Sequence, residues 1–206
     1  MTAVIALTGG IGAGKSSVAR LLREHGAVTI DADVVARECV ADPDMQAALR
    51  ALVPSAFDSA GDLDRSIMAA QMFSDSSARQ AVEKIMHPWI RARMRQLAAS
   101  AVDAGADVVV MEIPLLAETR TPAEAAAEFD AVITVEAQPD RRVQRLMKRG
   151  LTAEDAKSRM TAQAPEAERR ALATWVIDNN GDESTLAQQA AAVWNSLRER
   201  LLGRHS

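Results

Sequence analysis

The sequence predicts an α/β fold, a five-stranded parallel sheet flanked by helices that also carries a helical insertion and a short helical lid. Three observations predict it. Short runs rich in Val and Ile alternate with longer helical stretches, the pattern of a parallel sheet covered by helices. These runs are short and mainly apolar, as strands buried on both faces are. A glycine-rich stretch, TGGIGAGKSS at residues 8–17, joins the first run to the first helical stretch.

The strands fall at Val4–Thr8, Val28–Ile30, Val108–Ile113, Ala131–Val135 and Trp175–Ile177. Helices are expected at about 15–25, 75–103, 139–149, 152–163 and 184–202. Thr121-Pro122-Ala123-Glu124 is a capping box with proline at the first helical position, and Thr152 caps a further helix. Between the second and third strands there is no buried-strand pattern. Segments 34–41, 44–53 and 65–73 read as short helices, separated by Asp42-Pro43 and by a turn at 58–62. The expected organisation is one domain: a core of about 1–34 and 105–206, a helical insertion of about 35–104, and a lid of about 139–165.

Composition narrows the function. A length of 206 residues suits one domain, and a net charge of −4 argues against a broad nucleic-acid footprint, which needs a basic field. A single cysteine, Cys39, excludes an intrachain disulfide and fits a reducing compartment. No apolar run approaches the roughly 20 residues that span a bilayer. The N-terminus enters a strand directly, with no basic leader. A cytoplasmic protein without a membrane partner is expected.

Gly9-Gly10-Ile11-Gly12-Ala13-Gly14-Lys15-Ser16 fits G-x-x-x-x-G-K-[ST] between a strand and a helix, the phosphate-binding loop of P-loop NTPases. Glycines let successive N–H groups turn into one concavity, and the following helix adds its positive end. Gly10, Gly12, Ala13 and Gly14 are therefore expected around a nucleoside triphosphate, with Lys15 on its β and γ phosphates. The Ser16 hydroxyl is expected on Mg²⁺, and Ser17 at the α-phosphate.

Two features bear on reaction. Asp31 and Asp33 follow the second strand; if the chain stays extended they point to one side, where one could act as base for an attacking hydroxyl. Asp33 could equally cap the next helix. Arg142, Arg145 and Arg149 share one helical face. Such a stripe is either a solvated surface or an anion site serving phosphoryl transfer.

At these residues the sequence resembles the dephospho-coenzyme A kinases, along nearly the whole chain. The resemblance rests on TGGIGAGKS at 8–16, DAD at 31–33, LDR at 63–65, HP at 87–88, IPLL at 113–116 with Glu118, RLMKR at 145–149, Gln163 and IDNNG at 177–181. It implies ATP-dependent phosphorylation of the ribose 3′-hydroxyl of dephospho-coenzyme A, the last step of coenzyme A synthesis. It also implies Asp33 as base or orienting group for that hydroxyl, Arg65 and His87 as acceptor contacts, and Pro114, Leu115 and Leu116 as the acceptor wall. Arg145 and Arg149 become lid arginines, Arg149 against the transferring phosphoryl group, and Asn179 to Gly181 pass the adenine. Taken alone, His87-Pro88 could punctuate two helices, Leu115 and Leu116 could be core, and Asn179-Asn180-Gly181 is a turn.

The sequence departs from the family pattern at Arg142 (commonly glutamine), at Ala117 (commonly larger), at Thr174 (commonly an acid) and in a lid one residue shorter after Arg149. Asp31 and Glu112 are alternative outer partners for Mg²⁺. The other readings of the same loop are a nucleotide, nucleoside or shikimate-type kinase and a nucleotide-dependent switch. No Asn-Lys-x-Asp segment marks a guanine switch. A monomer or weak homo-oligomer is expected.

Overall fold

A computed structural model describes residues 2–203. Its elements in chain order are β1 (Ala3–Gly9), α1 (Lys15–Glu24), β2 (Val28–Asp31), α2 (Ala32–Ala41), α3 (Pro43–Leu52), α4 (Arg65–Ser74), α5 (Ser76–Asp103), β3 (Val108–Glu112), α6 (Leu116–Thr119), α7 (Pro122–Glu128), β4 (Ala131–Glu136), α8 (Pro139–Met147), α9 (Ala153–Thr161), α10 (Glu166–Leu172), β5 (Trp175–Asp178) and α11 (Glu183–Gly203). The five strands form one sheet in the order β2-β3-β1-β4-β5, every pair parallel. Each predicted strand is present.

The described residues divide into two compact units, one comprising the chain up to Asp31 with the residues from Ala98 onward, the other Ala32–Leu97. In the first, residues of one parity (Ile5, Leu7, Val108, Val110, Ile133, Val135, Ile177) point to one sheet face and pack with Val18 and Leu22 of α1 and with Leu186 and Val193 of α11. The opposite parity of β4 meets α10: Thr134 Oγ1 donates to the Arg169 carbonyl and Glu136 pairs with the Arg169 side chain. In the helical unit, Cys39, Leu49, Val53, Met68 and Val82 form a separate core.

The loop opens at the carboxyl end of β1, the central strand. Here the order reverses, since the chain passes from β1 to β2 on one side and reaches β4 on the other. Ligands of open α/β sheets bind at such a point.

Three local expectations need correction. The chain after β2 is not extended; α2 starts at Ala32, so Asp33 lies in its first turn. The same-side argument for Asp31 and Asp33 therefore fails, and Asp33 follows the helix start instead of capping it. Its carboxylate still favours that position through the helix dipole. Next, His87-Pro88 punctuates nothing: Pro88 lies inside the continuous α5 and merely deprives the Lys84 carbonyl of a helical donor. Finally, α6 and α10 escape the sequence pattern. One turn of α6 is too short to show a period, and α10 buries Arg169 beside Leu172, so its inward face does not read as apolar.

Candidate active site

α1 begins directly after Gly14, whose φ of 101° lies in the left-handed region. A Cβ there would stand 2.0 Å from the Asn179 amide nitrogen, so both conformation and space require glycine. The first N–H groups of α1, at Lys15, Ser16 and Ser17, lie at the free end of the helix dipole. Only part of the loop's hydrogen bonding stays inside it: the Ala13 N–H donates to the Gly10 carbonyl.

The carbonyl side of the loop is held from outside. Arg142 Nε donates to the Ile11 carbonyl at 2.8 Å. Arg145 donates to the carbonyls of Gly12 at 3.3 Å and Ala13 at 3.0 Å, and its second terminal nitrogen to the Asn179 carbonyl at 2.9 Å. Asn179 Nδ2 donates to the Ala13 carbonyl at 2.7 Å. Because a trans peptide is planar, each carbonyl pinned outward aims the next N–H the opposite way. The Gly12 and Gly14 amides are thus turned to the far side of the loop from these donors, as a polyphosphate nest requires.

This corrects the arginine stripe. Arg142 is buried and already bonded to the loop, so it is neither a solvated side chain nor one waiting for an anion. Arg145 braces the loop and Asn179 together, while Arg149 lies exposed just past the end of α8. Burial, then Arg169, holds the Arg142 guanidinium below its ordinary range, and burial followed by Arg141 and Arg149 does the same to Arg145.

Lys15 Nζ stands 3.7 Å from Glu112 Oε2. Glu112 ends β3 in register with Asp31 at the end of β2, so both carboxylates lie at the same sheet edge as the loop. Burial pushes the Glu112 carboxyl above its ordinary range; Lys15 pulls against this, Asp31 adds to it and Arg23 opposes it. A serine hydroxyl and two carboxylates are hard oxygen donors that suit Mg²⁺. Among the described residues, no group of three or more His, Cys, Asp or Glu is placed to hold a metal unaided.

Pro114 and Leu115 follow β3, and Leu115 is 48% exposed whereas Leu116 is fully buried. Leu116 therefore has no surface to offer a ligand, which corrects its place in the expected acceptor wall. Asn179 is buried against the loop and Gly181 exposed beside Thr185. In the helical unit, Asp33 is exposed, His87 is half-buried on α5, and Arg65 opens α4 directly after its cap Asp64. Arg65 lines a cavity of about 520 Å³ with Phe57, Asp62, Leu63 and Ile67.

The sequence reading missed the buried pair of Glu136 with Arg169, two bonds of 2.7 Å each. Its only trace is a carboxylate closing an otherwise apolar strand.

The sequence profile of the dephospho-CoA kinases matches residues 3–185. The chain belongs to the dephospho-CoA kinase family. A dephospho-CoA kinase of Streptomyces avermitilis is 42% identical over 200 residues, spanning 95% of this chain and 94% of that one. The crystal structure of TT1252 from Thermus thermophilus is 36% identical with a TM-score of 0.80, covering 95% of this chain and 98% of its own. A shikimate kinase from Acinetobacter baumannii, solved with shikimate, shares the fold at a TM-score of 0.53 and 16% identity, covering 95% and 94%. The P-loop kinase fold is thus common to enzymes named for different acceptors.

Two departures from the dephospho-CoA kinase pattern have local explanations. Thr174 Oγ1 accepts from the Val132 N–H at 3.0 Å, the acceptor role an acid there would fill. The shortened lid closes α8 with a Schellman turn, Gly150 at φ 93° and the Leu151 N–H donating to Leu146, and Thr152 caps α9 at once. Glu118 accepts from the Ala164 N–H, tying the end of the lid to α6; nothing in the structure explains Ala117.

Proposed function

We infer that the chain transfers the γ-phosphoryl group of ATP to the ribose 3′-hydroxyl of dephospho-coenzyme A, giving coenzyme A and ADP. The observation that carries this reading is the family match across nearly the whole chain, including the loop braced by Arg145 and Asn179. Gly12, Gly14, Lys15 and Ser16 offer main-chain N–H groups to the triphosphate, and Ser17 turns its N–H from the Gly14 carbonyl to the α-phosphate. Lys15 leaves Glu112 to neutralise the β and γ phosphates. Mg²⁺, held by the Ser16 hydroxyl with Asp31 or Glu112 as outer partner, supplies charge neutralisation on those phosphates. Arg149, exposed at the end of α8, is the arginine for the transferring group. The adenine passes Asn179 to Gly181.

On the acceptor side, Asp33 accepts or orients the hydroxyl proton, Arg65 and His87 bind the acceptor's anionic groups, and Pro114 with Leu115 supplies apolar contact. The helical unit is then the acceptor-binding lobe, and the reaction belongs to the cytoplasm. The test is ADP release from ATP and Mg²⁺ with dephospho-coenzyme A, nucleoside monophosphates and shikimate as acceptors, for wild type and Asp33→Asn. Wild type should prefer dephospho-coenzyme A, and the variant should lose about 10²-fold or more in kcat with little change in ATP affinity. Faster turnover of another acceptor overturns the substrate; undiminished kcat in Asp33→Asn overturns the base.

A further inference from the structure

Ile11 is gripped on both sides by groups far away in sequence. Its N–H donates to Gln163 Oε1 at 2.7 Å, and its carbonyl accepts from Arg142 Nε at 2.8 Å. The two grips are joined, since Arg142 also donates to Gln163 Oε1 at 3.3 Å. The guanidinium lies flat on the loop: a Cβ at Gly10 would stand 2.5 Å from its terminal nitrogen. Glu136 holds Arg169 behind it. Burial, then Arg169, opposes the Arg142 cation more strongly than the nearby charges of Glu136 and Glu166 favour it. Its hydrogen bonds to Ile11 and Gln163 end on neutral oxygens.

We propose that Arg142 and Gln163 are positioning residues for the donor nucleotide, fixing the two peptide groups that flank Ile11 so that the Gly12 N–H faces the triphosphate. The peptide between Ile11 and Gly12 is planar, so the bond from Arg142 sets the direction of that N–H. Gln163, at the far end of the lid, sets the peptide before it. The Ile11 N–H is itself spent on Gln163 and takes no part in binding phosphate. The pair therefore acts on the donor and leaves the acceptor alone. The proposal rests on the kinase reading only for its acceptor control.

The experiment compares Arg142→Met, Arg142→Lys, Gln163→Met and the double methionine variant, each below its melting midpoint. Affinity for a non-hydrolysable ATP analogue with Mg²⁺ is measured by calorimetry, and KM for ATP and for dephospho-coenzyme A by ADP release. Either methionine variant should weaken analogue binding and raise KM for ATP by about tenfold, the scale of one hydrogen bond to a charged group. KM for dephospho-coenzyme A should stay unchanged, Arg142→Lys should fall between, and the double variant should lose less than the product of the two. Wild-type analogue affinity in both methionine variants, even with lowered Tm, overturns the proposal and leaves a structural role; so does an equal rise in both KM values. If dephospho-coenzyme A is not the acceptor, its KM is unmeasurable already in wild type, while the calorimetric pattern still decides for or against the pair.

Discussion

Glu112 shows how a single residue carries both burial and charge. It is 4% exposed, faces Lys15 and has Asp31 beside it in register. Because burial raises its folded-state pKa above the ordinary 4.5, the folded chain holds this proton more tightly than the unfolded chain does. Stability from this group is therefore lost as pH rises from 4.5 to the raised value, and the penalty is complete above it. Glu112→Gln carries no such charge, so its unfolding free energy relative to wild type should climb across that window and level off toward neutrality. Urea unfolding at a series of pH values measures this, and a difference that does not vary with pH rejects the shift. Cys39 obeys the same physics in the helical unit: burial, then Asp42, pushes its thiol up to about 11.

At the scale of elements, the binding loop depends on parts distant in sequence. Arg142 and Arg145 come from α8, Gln163 from the turn after α9, and Asn179 from the end of β5. α10 anchors this apparatus to the sheet through Glu136 and Arg169, both nearly fully buried. Burial alone would lower the Arg169 pKa, but the hydrogen bonds it donates to Glu136 and the charge of that carboxylate together raise it. Removing one partner of such a pair leaves an uncompensated buried charge, so Arg169→Met should destabilise by about 3–5 kcal/mol, whereas Glu136→Gln/Arg169→Met should recover much of it. A double-mutant cycle by denaturant unfolding checks the coupling; additive losses would show that the two residues act separately.

For the whole molecule, the net charge of −4 coexists with a local concentration of cations, since Arg145 donates to the Ala13 carbonyl and feels the charges of Arg141 and Arg149. A ligand that binds only the folded chain stabilises it by mass action. A non-hydrolysable ATP analogue with Mg²⁺ at 100 times its Kd should add about 2.7 kcal/mol. Chelating the Mg²⁺ should remove much of that gain, as thermal unfolding in each condition will measure. An equal Tm with and without Mg²⁺ would count against Ser16 as a metal ligand. Among the described residues no helix is long and apolar enough to cross a membrane.

Local chemistry alone specified much of this protein. Apolar Val and Ile runs marked all five strands, the Thr121 capping box and the Thr152 cap marked helix starts, and the glycine pattern marked the phosphate loop, because each depends on neighbours a few residues away. Tertiary structure decided the strand order, the helical turn taken directly after Asp31, and the burial of Leu116 beside exposed Leu115. It also decided that Arg142 serves the loop, through a bond spanning 131 residues of sequence to Ile11. A periodic stripe can place three arginines on one face, but only packing determines which of them reach water and which are spent on carbonyls.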